Sequence, residues 1–245
     1  MKTLLHPQKL PRLVLVLGVI GFGLRCALYS VAVDRKNLLV PHPLGFALGV
    51  LTLAAMVLVI TGVLRWNKDP LFSVWRSNRT LLAILAALGF GSVLLKGSFA
   101  ASLLILVRNI LAILSALSMA SLPVLEKKGK KIPFPLYALP CLFFAVHMVS
   151  SYQLWSSNPQ IQDYVFTLMA NVGLMLYTYQ KAAAAVGFRK EKRTLAIGLL
   201  TVYFCYTALS GTDFFVLFLC TGSWVLADLS RVFPEKTEHQ EENPL

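Results

Sequence analysis

Acidic residues are scarce in this chain, with 11 Asp and Glu against 23 Lys and Arg, and all charged residues together make up only 14% of it. A soluble domain normally carries about a quarter charged residues, so a water-exposed surface over most of the chain is excluded. The few carboxylates form no paired motif of the kind that shares acid and base roles across a scissile bond. The sequence also lacks an HExxH helix, a GxSxG elbow and a phosphate-cradling P-loop, which removes the common routes to metalloprotease, serine hydrolase and nucleotide-driven chemistry. No catalytic residues and no cofactor are assigned.

Cysteine and histidine are sparse as well, at four each. Cys26, Cys141, Cys205 and Cys220 fall within apolar stretches at spacings that suit neither a disulfide framework nor a metal, and read as small packing residues. His6, His42, His147 and His239 are scattered, so no metal site is expected.

What remains is apolar. Hydrophobic residues form 57% of the 245 positions and the mean hydropathy is +0.68. They gather into stretches of about 20 residues, the length that crosses a hydrocarbon layer about 30 Å thick. Spans are expected at about 13–33, 44–64, 80–95, 101–122, 135–154, 164–184, 194–210 and 213–232. The long apolar runs 80–125 and 194–233 must each fold back, because a continuous helix of about 45 residues would reach about 67 Å. Lys96-Gly97-Ser98 and Ser210-Gly211-Thr212-Asp213 supply the turn residues.

The fold class is therefore an all-α polytopic membrane protein with eight transmembrane helices. Arg79-Thr80-Leu81 precedes Gly97-Ser98 by the spacing that separates Arg193-Thr194-Leu195 from Gly211-Thr212, which suggests two parallel four-helix halves. Residues 1–125 form the first half, 126–233 the second, and 234–245 a disordered acidic cytoplasmic tail.

Basic residues fix the orientation. Eighteen Lys and Arg lie in alternate gaps and at the two ends, against only Arg35, Lys36 and Lys96 in the opposite gaps. Cytoplasmic loops carry the excess of positive charge, so both termini are expected in the cytoplasm and the protein in the cytoplasmic (inner or plasma) membrane. Cleavage after Ser30-Val31-Ala32 would leave seven spans and break this parity, so the first span is expected to be retained. The same asymmetry accounts for the net charge of +12. It makes membrane lipids the expected partners, with no nucleic-acid role and no partner subunit assigned.

Candidate chemistry lies in polar residues within the spans, since an ionised group at the bilayer centre costs about 2.5–3.5 kcal/mol on insertion scales. These are Arg25, Arg108, Asn109, His147 and Asn171. At about 1.5 Å per residue, Arg25 and His147 stand about 18 Å from the cytoplasmic starts of their helices, and Arg108 and Asn171 about 10 Å from the outer starts of theirs. All fall in the outer half, where Asp213 is the nearest carboxylate. Arg forks suit phosphate and carboxylate, so an anionic small molecule or a lipid headgroup is the expected guest, with the two Arg residues facing one another across an outward-open cavity.

The chain thus reads as permease-like, binding or moving an anionic or amphipathic substrate. The alternatives are an intramembrane enzyme acting on a lipid headgroup, with His147 as acid or base, and a non-transporting membrane subunit or scaffold. Several other residues read as structural. Asp228 is placed as an i to i+3 partner of Arg231, and Trp66, Trp75, Trp155 and Tyr152 as interfacial anchors. Gly18, Gly21, Gly23, Gly45 and Gly49 are expected at close helix contacts. Pro123, Pro133, Pro135 and Pro140 are expected to frame a hinge.

Overall fold

The computed structural model describes residues 10–32, 42–66, 79–95, 102–128, 133–155, 164–188, 190–210 and 212–232. These hold eight helices and no strand: α1 (Leu10–Val31), α2 (Pro43–Leu64), α3 (Arg79–Leu95), α4 (Leu103–Lys127), α5 (Pro135–Trp155), α6 (Val165–Ala185), α7 (Glu191–Ala208) and α8 (Phe215–Val232). In hydrocarbon a helix is the one open-ended element that satisfies its own backbone. The segments Leu10–Val31, Pro43–Leu64, Leu103–Leu125 and Pro135–Gln153 are long and apolar enough to cross a membrane, while Thr80–Leu95 and Phe215–Leu229 are apolar but shorter.

Local signals account for the helix ends. His42 caps α2, its Nδ1 accepting from the Leu44 amide at 3.2 Å, and Pro43 follows in the first turn, where its missing N–H costs nothing. At the end of α6, Gly187 adopts φ 99°; its amide donates to the Ala184 carbonyl at 3.1 Å and that of Phe188 to the Ala183 carbonyl at 3.0 Å. This left-handed closure suits Gly because it has no Cβ, and it turns the chain directly into α7. The expected corner at 210–213 lies between α7 and α8, where Thr212 Oγ1 accepts from the Phe214 amide at 3.2 Å. The corner at 96–98 and the tail at 234–245 lie outside the described residues.

One boundary differs clearly from expectation. α4 continues through Pro123 to Lys127 instead of ending at 122, and Pro140 likewise sits within α5. Both prolines are buried. Neighbouring helices can hold a segment together where Pro removes one backbone bond, so Pro123 and Pro140 sit within continuous helices and not in the gap between them.

Six helices close into a ring. In order around it, α3 packs on α4, α4 on α5, α5 on α6, α6 on α7 and α7 on α8, and α8 returns to α3. The α1–α2 hairpin lies outside this ring against α7. Contacts thus join the segments before and after residue 125 at α4–α5, α3–α8, α1–α7 and α2–α7. α7 packs against α1, α2, α6 and α8, and small residues on α1 let its backbone approach closely. A Cβ on Gly18 would stand 3.0 Å from the Tyr206 Cβ, and one on Gly21 would stand 2.7 Å from Thr207 Oγ1.

Several packing expectations are corrected. Gly23, Gly45 and Gly49 have nothing within 4 Å of an added Cβ, so they are not at close contacts; they lie on outward faces of their helices. Trp66 is only 1% exposed, a core residue and not an interfacial anchor. Cys205 and Cys220 are buried as expected, whereas Cys26 is exposed and Cys141 partly so. Trp75 and the side chain of Trp155 lie outside the described residues.

Substituting Gly21 by Leu is expected to lower the thermal unfolding midpoint of the detergent-solubilised protein, through overpacking worth about 1–3 kcal/mol. Gly23→Leu should leave the midpoint unchanged, which separates lost α1–α7 packing from any general effect of a larger side chain.

Candidate functional site

Inside the ring the side chains fall into layers, and the uppermost is polar. Arg108 on α4 is 3% exposed. Its Nε and Nη2 both donate to Asn109 Oδ1, at 3.4 and 3.2 Å, and its guanidinium lies 5.7 Å from the centroid of Phe214. The same ring meets His147 of α5 edge-on, with centroids 4.6 Å apart and planes at 88°. His147 also stacks on Phe143, at 5.4 Å and 8°. Phe214 therefore gathers Arg108, Asn109 and His147 into one assembly, made by α4, α5 and the entry to α8.

Polar atoms in this assembly outnumber their partners. Both nitrogens of His147, Nδ2 of Asn109, Oδ1 of Asn171 and the hydroxyls of Ser115, Ser151 and Thr167 are buried with no hydrogen bond. Each such orphan costs about 1–3 kcal/mol. Asn171 donates only to the Thr167 carbonyl, one turn earlier on α6, at 3.1 Å. Elsewhere the bundle hides its hydroxyls by turning them back onto the preceding helical turn, as Thr52, Thr178, Thr201, Thr207 and Thr221 do. The orphaned hydroxyls are thus a departure from how this fold treats the same residue types.

Depth groups three of these residues. Asn109 and Asn171 each lie about 9 Å from the starts of α4 and α6, and His147 about 12 Å before the end of α5. These are the same end of the bundle. Ser151 and Thr167 stand closer to that end, and Ser115 deeper. Among the described residues, no carboxylate pairs with Arg108.

Arg25 is placed apart from this assembly. It is 2% exposed, between α1 and the outer side of the ring. Nη1 donates to the Thr207 carbonyl of α7 at 3.4 Å and Nη2 to Tyr29 Oη at 3.1 Å, while the guanidinium lies 5.3 Å from the centroid of Phe166 and 5.5 Å from that of Tyr29. Cation–π contacts of this kind are worth about 0.5–2 kcal/mol, and they anchor Arg25 on α6 and α7. The structure brings together Arg108, Asn109 and His147, sets Asn171 at the same depth on α6, and gives Arg25 its own seat.

Two hollows lie elsewhere. One, of about 680 Å³, is lined by apolar residues of α3, α4 and α8 such as Ala87, Gly91 and Pro123; another, of about 440 Å³, by Val50, Leu53 and Val57 of α2. Neither lining includes Arg25 or Arg108. No group of three or more His, Cys, Asp or Glu able to hold a metal occurs among the described residues.

Below the polar layer Phe143 meets Phe90 and Phe144 edge to face and Phe90 meets Phe144 tilted at 50°, their centroids 5.1–5.6 Å apart. Beneath them is a polar cluster that sequence reading missed. Tyr177 Oη of α6 donates to Asp228 Oδ2 of α8 at 2.6 Å, and Lys181 Nζ pairs with the same oxygen at 2.8 Å. Asp228 is thus engaged across the bundle and not only along its own helix; the Arg231 side chain lies outside the described residues. Ser115, Ser151 and Thr167 were also missed. Their signal was available: Ser151 follows His147 by four positions, Asn171 follows Thr167 by four, and Ser115 follows Arg108 by seven. Each of these spacings shares one helix face.

His147→Phe keeps a ring between Phe143 and Phe214 and deletes two unpartnered nitrogens, so the unliganded protein should become more stable, by up to about 1–3 kcal/mol. Thermal unfolding without added anions tests this. A loss of stability would mean that the imidazole nitrogens are bonded in the folded state.

No known protein-family model, no curated protein and no solved structure matches this chain.

Proposed function

We propose that the chain is a permease-like protein of the cytoplasmic membrane, with eight spans and both termini cytoplasmic, that binds or moves an anionic or amphipathic substrate. The observation that carries the reading is the set of orphaned polar atoms on Asn109 and His147, assembled with Arg108 on Phe214, and on Asn171 at the same depth. Arg108 supplies the fixed charge, and its planar fork suits a phosphate or carboxylate. Asn109 and His147 add donors, while Asn171 and the hydroxyls of Ser151 and Thr167, nearer the same end of the bundle, add acceptors. A guest with one anionic group and neighbouring hydroxyl or amide groups, either a free organic anion or a lipid headgroup, matches this mixture.

The site is closed in the described conformation, since Arg108 is 3% exposed and Asn109, His147 and Asn171 are 0% exposed. Access then requires helices to part at the outer end, and the entry of α8, where Phe214 covers both Arg108 and His147, is the element placed to move. Arg25 serves as an anchor of α1 on α6 and α7 and a secondary contributor of positive potential, and not as the opposing jaw of the site. The enzymatic reading is less well supported, because His147 has no carboxylate or hydroxyl partner to orient it for proton transfer.

Arg108→Gln removes the charge and keeps hydrogen-bonding capacity. Losing a hydrogen bond to a charged group costs about 1.5–3 kcal/mol, so affinity for inorganic phosphate or short-chain phosphatidic acid should fall roughly ten- to a hundredfold. Calorimetric titration of the protein in nanodiscs reads this. Equal affinity in the variant would remove the site from Arg108.

A further inference from the structure

We propose that the guest is a phosphate ester carrying free hydroxyls on a short carbon chain, a glycerol phosphate unit, with its phosphate at Arg108 and its hydroxyls in the seam between α5 and α6. The inference rests on the permease reading of the Arg108 layer and names the chemistry of what that layer receives.

Contacts along the seam fix the register of the helices. At its foot the Lys181 ammonium of α6 lies 5.6 Å from the Tyr137 centroid of α5, and one turn above, Thr178 of α6 lies against the Cys141 thiol of α5. The two helices therefore run in opposite directions, and each step along α5 is an equal step back along α6. Ten residues on from Tyr137 is His147, and ten back from Lys181 is Asn171. Fourteen bring Ser151 level with Thr167. On the other flank of α5, Ser118 of α4 donates to the Leu136 carbonyl. Eleven residues from that bond, His147 stands level with Val107, beside Arg108. Two tiers result: Arg108, His147 and Asn171 share one, and Ser151 and Thr167 share a second, about 6 Å higher. All five side chains are buried.

The chemistry of the tiers selects the guest. Arg108 is the cation, and its fork suits phosphate. Asn171 Oδ1 can only accept, and a neutral imidazole presents one bare nitrogen besides its N–H; both residues hold these atoms buried with no partner. Anionic oxygens cannot satisfy acceptors, so the guest must bring donors as well. The Ser151 and Thr167 hydroxyls, likewise unpartnered, each donate and accept, which matches a carbon-bound hydroxyl in kind. An ammonium would also donate, but no Asp or Glu is buried among the described residues, so its charge would meet none of opposite sign on the protein. Length agrees too. An ester oxygen, three carbons and a terminal hydroxyl span about 6 Å, at about 1.5 Å per bond along a zigzag. Phe143 and Phe214, on either side of His147, give the carbon chain an apolar wall.

Calorimetric titration of the full chain in phosphatidylcholine nanodiscs compares sn-glycerol 3-phosphate with n-propyl phosphate, which has the same charge and chain length and no free hydroxyl. Glycerol phosphate should bind at least about tenfold tighter, because propyl phosphate leaves the seam's acceptors buried and unpartnered. Ser151→Ala combined with Thr167→Val deletes only unpartnered hydroxyls, so this variant should fold, keep its affinity for propyl phosphate and lose most of the preference. Arg108→Gln should weaken both esters by the same factor. O-Phosphoethanolamine, with an ammonium in place of the hydroxyls, should bind no tighter than propyl phosphate. Equal affinity for the two esters, with Arg108→Gln still weakening both, would overturn this proposal and leave the anion site standing; binding of neither ester would overturn both. A preference that survives the double substitution, or tighter binding of phosphoethanolamine than of glycerol phosphate, would also overturn it. Short-chain phosphatidylglycerol against short-chain phosphatidylpropanol, which lacks the hydroxyls, separates the sources. A hydroxyl preference larger for the lipid pair assigns the unit to a headgroup and one larger for the free esters to a soluble ester, and either bears out the chemistry.

Discussion

A polar side chain that enters the interior of a hydrocarbon-crossing bundle must find its partner there, because the surrounding lipid offers none. The rest of this structure follows from how that demand is met and where it is not. Most hydroxyls are satisfied within their own helices. Tyr203 shares a hydrogen bond with Thr52 at 2.9 Å and Tyr206 one with Ser223 at 2.9 Å, tying α7 to α2 and to α8. Ser118 donates to the Leu136 carbonyl and joins α4 to α5. The polar groups that hold the bundle together are, by this measure, paired.

The layer around Arg108 breaks the pattern, and its composition argues against simple neglect. A protein that needed only to fill space at His147 would do better with Phe, since replacing unsatisfied polar groups by apolar ones of the same shape is neutral or stabilising. An imidazole and three hydroxyls without partners, two carboxamides each with one unpartnered atom, and a guanidinium that pairs with no carboxylate among the described residues are what our reading of a guest rests on. The aromatic layer of Phe90, Phe143 and Phe144 separates these groups from the Tyr177–Asp228–Lys181 cluster. The ring thus has an end rich in unpartnered polar atoms and an end where Tyr177, Lys181 and Asp228 are paired, with an aromatic layer between them.

Sequence reading reached the helices and the depth of the polar residues, and it stopped at lateral placement. Apolar length and turn residues suffice to locate a helix, so the eight elements and the corner at 210–213 were legible. Asn109, His147 and Asn171 share a depth because rise per residue is fixed, and that also could be counted. Which helix stands beside which is set by side-chain packing, which neither hydropathy nor charge encodes. Arg25 and Arg108, matched in depth, were therefore expected to face each other, yet α1 lies outside the ring and sets Arg25 on Phe166 and Thr207. The Asp228 cluster was missed for the same reason: Arg231 is near in sequence, whereas Tyr177 and Lys181 are near only once α6 and α8 are folded into one ring.

The claim on which this account turns is that the Arg108 layer receives a guest. Its most direct test is a cryo-EM structure of the full chain in nanodiscs containing phosphate-bearing lipid. Non-protein density within hydrogen-bond reach of Arg108, Asn109 and Asn171 is the expected result. A map in which Asn109, His147 and Asn171 bond to one another or to ordered water alone, with Arg108 unchanged on Phe214 and no such density, would contradict it.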